Sequence, residues 1–228
     1  MIMGKYKYQM HTHTSPCSKC GAMSPEELAR ALYDGGYAGA VITNHFYGGN
    51  SGIDRTLSWA EFVKAYEDDY IACREAAKKY DLDIIFGVEE HLYGGLEILA
   101  YGIEPRVLYE HPELIERQGE DWIKTLHGVG ALMIQAHPYR EASYITMPGP
   151  LPLEWLDGIE VYNVGNKEQA NLLAQELAKK NPHFILTSGS DAHNVQRVCT
   201  AGIATDERIR NSAELAEVLK SGKYELIY

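Results

Sequence analysis

Tyr6-Lys7-Tyr8-Gln9-Met10-His11-Thr12-His13 is the stretch on which the reading of the chain turns. Tyr6 to Met10 has the makeup of a β-strand, and it delivers two imidazoles two residues apart. Residues i and i+2 of a strand face the same side, so His11 and His13 can grip one ion. Far downstream, Ser190-Asp191-Ala192-His193 repeats the device with a carboxylate and an imidazole, after the apolar run Phe184 to Thr187. The two motifs point to a metal-dependent hydrolase.

Between them, apolar or β-branched runs at Ala38 to Thr43, Ile84 to Val88, Ile98 to Tyr101, Leu132 to Ala136 and Ile159 to Tyr162 predict further strands. Amphipathic segments alternate with these runs. Ser24-Pro25-Glu26-Glu27 and Ser58-Trp59-Ala60-Glu61 both place a capping Ser three residues before a Glu. The first helix stops at Gly35-Gly36, and the second runs to about Tyr80. Helices are also expected over Pro112 to His127, Lys167 to Lys180 and Ser212 to Leu219. Strand-helix alternation of this kind predicts an α/β fold with a largely parallel sheet. No linker or low-complexity run interrupts residues 1–228, which are expected to form one domain.

The polar residues fall at equivalent places on this map. His11 and His13 follow the first strand, His45 the second, Glu89 the third, His137 the run ending in Ala136, and Asp191 with His193 the last. In a parallel α/β barrel these strand ends meet around one mouth. His11, His13, His45, Glu89, His137, Asp191 and His193 are therefore expected to be metal ligands in a single pocket. Neutral imidazoles hold Zn, Mn or Fe without cancelling the ion's charge, while a carboxylate such as Glu89 can bridge two ions. Two ions roughly 3.5–4 Å apart clamp both the attacking and the leaving oxygen.

His11-Thr12-His13-Thr14, Ile42-Thr43-Asn44-His45, Gly87-Val88-Glu89, Ala136-His137-Pro138 and Ser190-Asp191-Ala192-His193, in this order, resemble the PHP (polymerase and histidinol phosphatase) domain family. The resemblance implies a distorted (β/α)7 TIM-like barrel with two or three divalent ions. It implies that His11, His13, Glu89 and Asp191 hold one ion, that Glu89 bridges to a second ion bound by His137, and that His45 and His193 help to hold a third. Lys19 stands where the family pattern often has a further His. Gln9 and Asn44 replace usual Asp residues, and Glu97 lies where many members have His. Cys20, and secondarily Cys17, are candidate soft ligands for the vacant place, and Glu97 is a further candidate ligand. Two reduced loop thiols are the alternative reading for Cys17 and Cys20.

Arg140 closely follows His137-Pro138-Tyr139, and a guanidinium beside a metal site suits two-pronged recognition of phosphate. Lys19 and Asn163 are weaker candidates for substrate contact, and Glu160 for the lining of the mouth. His91 is placed near the rim, whereas His111, His127 and His183 have the setting of helix-end or loop residues. Phe46 to Leu57 and Tyr139 to Leu153 are the expected pocket walls.

A formal charge of -11 disfavours tight binding of nucleic-acid polymer, although nucleotides are compatible with it because bound cations reverse the local field. The four cysteines are too unevenly spaced for a disulfide framework. The opening Met1 to Tyr6 lacks the apolar core of a secretory signal, and no apolar run approaches a membrane span. A soluble, cytoplasmic protein with no membrane partner is expected.

The leading functional reading is a phosphoesterase that hydrolyses a small phosphorylated substrate by a metal-bound hydroxide, with Asp191, His137 and Arg140 as the catalytic residues. One alternative is an amidohydrolase-like enzyme that cleaves a C–N or C–O bond. The bridging place is filled by Glu89 rather than the strand-end Lys common in such sites, which counts against it. The other alternative is a non-catalytic, metal-stabilised PHP module.

Overall fold

Alternation along the strands sorts their side chains between two apolar layers. The computed structural model describes residues 5–228, so Met1 to Gly4 of the opening segment lie outside it. In β1 (Tyr6–Gln9), β2 (Gly39–Ile42), β3 (Asp83–Phe86), β4 (Val88–His91) and β5 (Glu97–Tyr101), side chains of alternating parity take opposite faces. Ala40, Ile42, Ile84, Phe86, Val88, Ile98 and Ala100 pack outward with helix residues such as Leu28, Phe62 and Tyr66. Tyr8, Val41, Ile85, Leu99 and Tyr101 point inward and meet Ile134 and Ile203. Each fully buried side chain of this size contributes about 1.5–3 kcal/mol relative to its exposed state.

The remaining strands are β6 (Leu132–Gln135), β7 (Gly158–Asn163), β8 (Ile185–Gly189), β9 (Gly202–Thr205) and β10 (Glu225–Ile227). Among the described residues they form two five-stranded sheets, ordered β10-β9-β1-β2-β3 and β4-β5-β6-β7-β8. β1, β2 and β3 run parallel, with Tyr8 opposite Gly39 and Ala40 opposite Ile84. β9 pairs antiparallel with both β1 and β10. β4, β5 and β6 are antiparallel neighbours, whereas β6, β7 and β8 are parallel.

The expected α/β class is present in a mixed form, with helices on two sheets; among the described residues no continuous ladder closes the strands into the single ring of a (β/α)7 barrel. The two sheets meet through the isolated parallel bridges Thr12 to Ala192 and His45 to Glu89. The run Ile84 to Val88 reads in sequence as one strand, yet Gly87 divides it and the chain passes from one sheet to the other. A Cβ at Gly87 would come within 2.9 Å of the Val41 side chain, so only glycine permits this close crossing.

Both capping boxes form. Ser24 caps α1 (Pro25–Asp34) and Ser58 caps α2 (Trp59–Lys78). α5 (Glu168–Lys180) and α6 (Ser212–Ser221) match the expected helices closely. The single helix expected over Pro112 to His127 is instead a 3-10 turn (Pro112–Ile115) followed by α4 (Glu120–Gly128), with α3 (Pro105–Glu110) before both. Gly119 breaks the path by taking a φ of +56°. Among the described residues no helix is long and apolar enough to cross a membrane.

Candidate metal centre

The inward parity that fills the core with Leu99 and Tyr101 also turns three acids toward the space between the sheets. Glu89 shares its face of β4 with His91, opposite Leu99 and Glu97 respectively, and Glu160 sits between the outward-facing Ile159 and Val161. Around Glu89 the histidines converge. His11 Nε2 lies 2.9 Å from Glu89 Oε1, His137 Nε2 3.4 Å from the same oxygen, His45 Nδ1 2.8 Å from Oε2 and His13 Nε2 3.3 Å from Oε2. Asp191 Oδ1 adds contacts of 3.5 Å to His11 and 3.2 Å to His13.

These atoms fit a cation better than they fit one another. His11 Nε2, His13 Nε2, His45 Nδ1, His137 Nε2 and both Glu89 oxygens are buried with no well-formed hydrogen bond. Buried polar groups left in that state are costly unless something else satisfies them. The donor atoms fall into compact groups, His11-His13-Glu89, His13-His45-His193 and His45-Glu89-Glu97, each within 4.8 Å. Nitrogen with carboxylate oxygen is the donor set of Zn, Mn or Fe sites.

Neighbouring side chains aim the rings. Glu160 Oε1 meets His11 Nδ1 at 3.0 Å, turning His11 Nε2 toward Glu89. The other Glu160 oxygen accepts from the His137 backbone N–H and from Asn163. Ser18 Oγ lies 3.2 Å from His13 Nδ1, accepts from the His45 N–H and donates to Asn44 Oδ1. Gly189 makes room for this arrangement, because a Cβ there would collide with Glu160 Oε1. His137 and Asp191 take left-handed backbone conformations, with φ of +29° and +50°. Such positions store about 1–3 kcal/mol each and persist where the surroundings over-determine them.

Burial alone would drive the acids neutral, but Glu89 is held well below the usual carboxylate range by His11, His45 and His13. Asp191 is likewise kept ionised against burial by His11, His13 and Arg140. Burial and the neighbouring His45 push His13 down to about 3, leaving it a neutral donor. His45 is raised to about 11, since Glu89 and Cys20 outweigh the effect of burial. A cation entering this cage must displace such protons, so its affinity falls as pH falls.

Outside the cage lies a cavity of about 530 Å³, lined by His45, His91, Glu97, Arg140, Tyr144, Asp191 and His193 among others. Arg140 donates to Asp191 Oδ2 at 2.7 Å, Asn163 Oδ1 at 2.8 Å and Asn166 Oδ1 at 3.0 Å. A guanidinium has five N–H donors, so two remain for a ligand.

All seven proposed histidine and acid ligands are brought together, and Glu97 joins them, 3.3 Å from His137 Nε2. Cys20 also reaches the site, but Cys17 does not. Its side chain is buried in the apolar layer near Asp69 and Cys73. Lys19 is exposed and does not line the cavity; its backbone N–H is spent on Asn50. Asn163 is fully buried behind Arg140, where it orients the guanidinium instead of facing a substrate. His91 stands at the rim, while His111 and His127 pair with Glu113 and Asp157 elsewhere.

The supporting roles of Glu160, Ser18 and Asn44 emerge only from the fold. The alternation Ile159-Glu160-Val161 is the signal for the first of them. Replacing Glu160 with Gln is expected to weaken metal binding by about 10–100-fold, the usual cost of losing such a supporting carboxylate. Titration with a chromophoric chelator measures it, and unchanged affinity would remove Glu160 from this role.

Residues 168–224, spanning α5 to the approach to β10, match the family model described as PHP-associated. No curated protein matches the chain. Among solved structures, the chain is similar to a two-domain protein of Bacteroides vulgatus containing a predicted PHP-like metal-dependent phosphoesterase. The TM-score is 0.67 at 17% identity over 98% of this chain and 64% of that one, so the chain spans less than two thirds of that protein. A protein of Bifidobacterium adolescentis assigned as a metal-dependent phosphoesterase gives 0.61 at 14% identity, covering 96% of each chain. An amidohydrolase of Chromobacterium violaceum with bound sulfate and no metal gives 0.58 at 15% identity over 82% of this chain and 87% of that one. The chain thus shares its fold with PHP-like proteins, and its C-terminal segment matches the PHP-associated family model.

Proposed function

We propose that the chain is a divalent-metal-dependent phosphoesterase acting on a small phosphorylated substrate. The observation that carries this reading is the position of Arg140, fixed by Asp191, Asn163 and Asn166 beside a cage of unpaired imidazole and carboxylate donors. His11, His13, Glu89, Asp191 and His137 would hold two ions of the Zn, Mn or Fe type, with His45, His193 and Glu97 at the outer side. Ions held there supply Lewis acidity and lower the pKa of coordinated water.

The chain's own residues do the rest. The two uncommitted donors of Arg140 fix a phosphoryl group by its oxygens and offset the charge that builds on them. Asp191 anchors that guanidinium through Oδ2 while its Oδ1 stays turned to His11 and His13. The cavity volume of about 530 Å³ suits a nucleotide or a smaller ester.

Likeness to the Chromobacterium violaceum amidohydrolase keeps C–N or C–O hydrolysis as the second reading. Glu89 in the bridging place, with no Lys among the described residues that line the cavity, disfavours it. Elemental analysis of protein purified without chelator, paired with a panel of phosphate monoesters, diesters, amides and lactones under Zn, Mn and Fe, tests both. Turnover confined to phosphate esters is expected. Turnover of amides or lactones alone would overturn the proposal, and stoichiometric metal with no turnover would favour a non-catalytic module.

A further inference from the structure

His193 uses its Nδ1 on the carbonyl oxygen of Asp191, at 2.9 Å, which turns Nε2 outward to within 3.1 Å of Cys20 Sγ. The His193 ring stacks on His13 with centroids 4.3 Å apart, and the donor atoms of His13, His45 and His193 lie within 4.8 Å of one another. Of these, His13 Nε2 and His45 Nδ1 are buried without a well-formed hydrogen bond and face Glu89 at 3.3 and 2.8 Å, whereas His193 Nε2 and Cys20 Sγ stand on the cavity side. Cys20 Sγ, through its 3.1 Å approach to His193 Nε2, sets a sulfur beside this group of nitrogens where the cage opens to the cavity.

The loop bearing Cys20 is not held in place by the thiol. The Ala22 N–H donates to the His193 carbonyl at 2.7 Å, Lys19 N–H donates to Asn50 and Gly21 N–H to Ser18. Gly21 packs so tightly that a Cβ there would come 2.8 Å from the Thr14 backbone. The backbone therefore presents Sγ to the imidazoles independently of any bond that Sγ makes. Ligands of a tetrahedral ion at about 2.0–2.1 Å for nitrogen and about 2.3 Å for sulfur stand roughly 3.5 Å apart, close to the observed spacing.

We propose that Cys20 Sγ is a metal ligand, which with His193 Nε2 and His45 forms an outer soft-donor position at the mouth of the cage. This rests on the metal-dependent reading above and adds to it a cation of thiolate preference, Zn or Co rather than Mn or Mg. The thiol loses its proton to solvent on binding, and no electron is transferred.

The test is titration of chelator-treated, full-length protein with Co²⁺, followed by absorption spectroscopy. The parent and Cys17→Ala are expected to show both the visible ligand-field bands of bound cobalt and the near-ultraviolet thiolate-to-cobalt charge-transfer band. Cys20→Ser and Cys20→Ala are expected to lose the charge-transfer band. Cys20→His should lose the same band while regaining the parent's cobalt stoichiometry. In parallel, Zn²⁺ should protect one thiol from a disulfide reagent in the parent and none in Cys20→Ser. Ligand-field bands without a charge-transfer band in the parent, or a charge-transfer band that survives in Cys20→Ser, would overturn the role of Cys20 alone. Absence of any cobalt binding would overturn the metal-dependent reading with it.

Discussion

On the proposed reading, Glu89→Gln is expected to abolish binding of divalent ions and to lower turnover of phosphate esters by about 10³-fold. Both Glu89 oxygens face imidazole nitrogens, four of them within 3.4 Å, and neither oxygen has a well-formed hydrogen bond. An amide in that place keeps the volume but loses the charge that tolerates two cations side by side. Its NH₂ group would also point at nitrogens that must act as donors to metal. Elemental analysis and steady-state kinetics on the same preparation check the result. A Glu89→Gln variant with the parent's metal content and turnover would remove Glu89 from the centre of the site.

Arg140→Ala is expected to leave metal content intact and to lower kcat/KM for phosphate esters by about 100-fold, equivalent to about 2.7 kcal/mol. Charge-assisted hydrogen bonds of the kind that Arg140 offers are worth about 1.5–3 kcal/mol. Arg140→Lys should recover only part of the loss. An ammonium keeps the charge but cannot hold Asp191, Asn163 and Asn166 while still presenting two further donors. If Arg140→Ala cleaved phosphate esters at the parent's rate, the guanidinium would have no part in substrate recognition.

Much of this architecture is legible in the chain itself. The capping boxes at Ser24 and Ser58 announce α1 and α2, and the β-branched runs locate most strands, because both signals are local. Sheet membership is not local. The split of Ile84 to Val88 at Gly87, and the antiparallel pairing of β4 with β5, depend on which neighbours the strands find across the molecule. β10 has only three residues, and the Gly and Ala of β9 (Gly202-Ile203-Ala204-Thr205) dilute its strand signal. The ligand types at strand ends are legible because chemistry restricts them to His, Asp and Glu. The supports are not, since Ser18, Asn44 and Asn163 are ordinary loop and strand residues until the fold sets them behind a ring or a guanidinium. Cys17 and Cys20 show the same limit. Their spacing suggests a pair, but the loop sends one into the core and the other to the cavity.

The bridge between His45 and Glu89 has a structural consequence of its own. These two residues join the halves of the molecule by their backbones and supply facing donors by their side chains. A cation held by both would act as a clasp on the seam between the sheets, so that ion occupancy and resistance to opening would rise together. Amide hydrogen exchange along Thr43 to His45 and Val88 to Glu90 should slow as divalent ion is added, while exchange in α4 stays level.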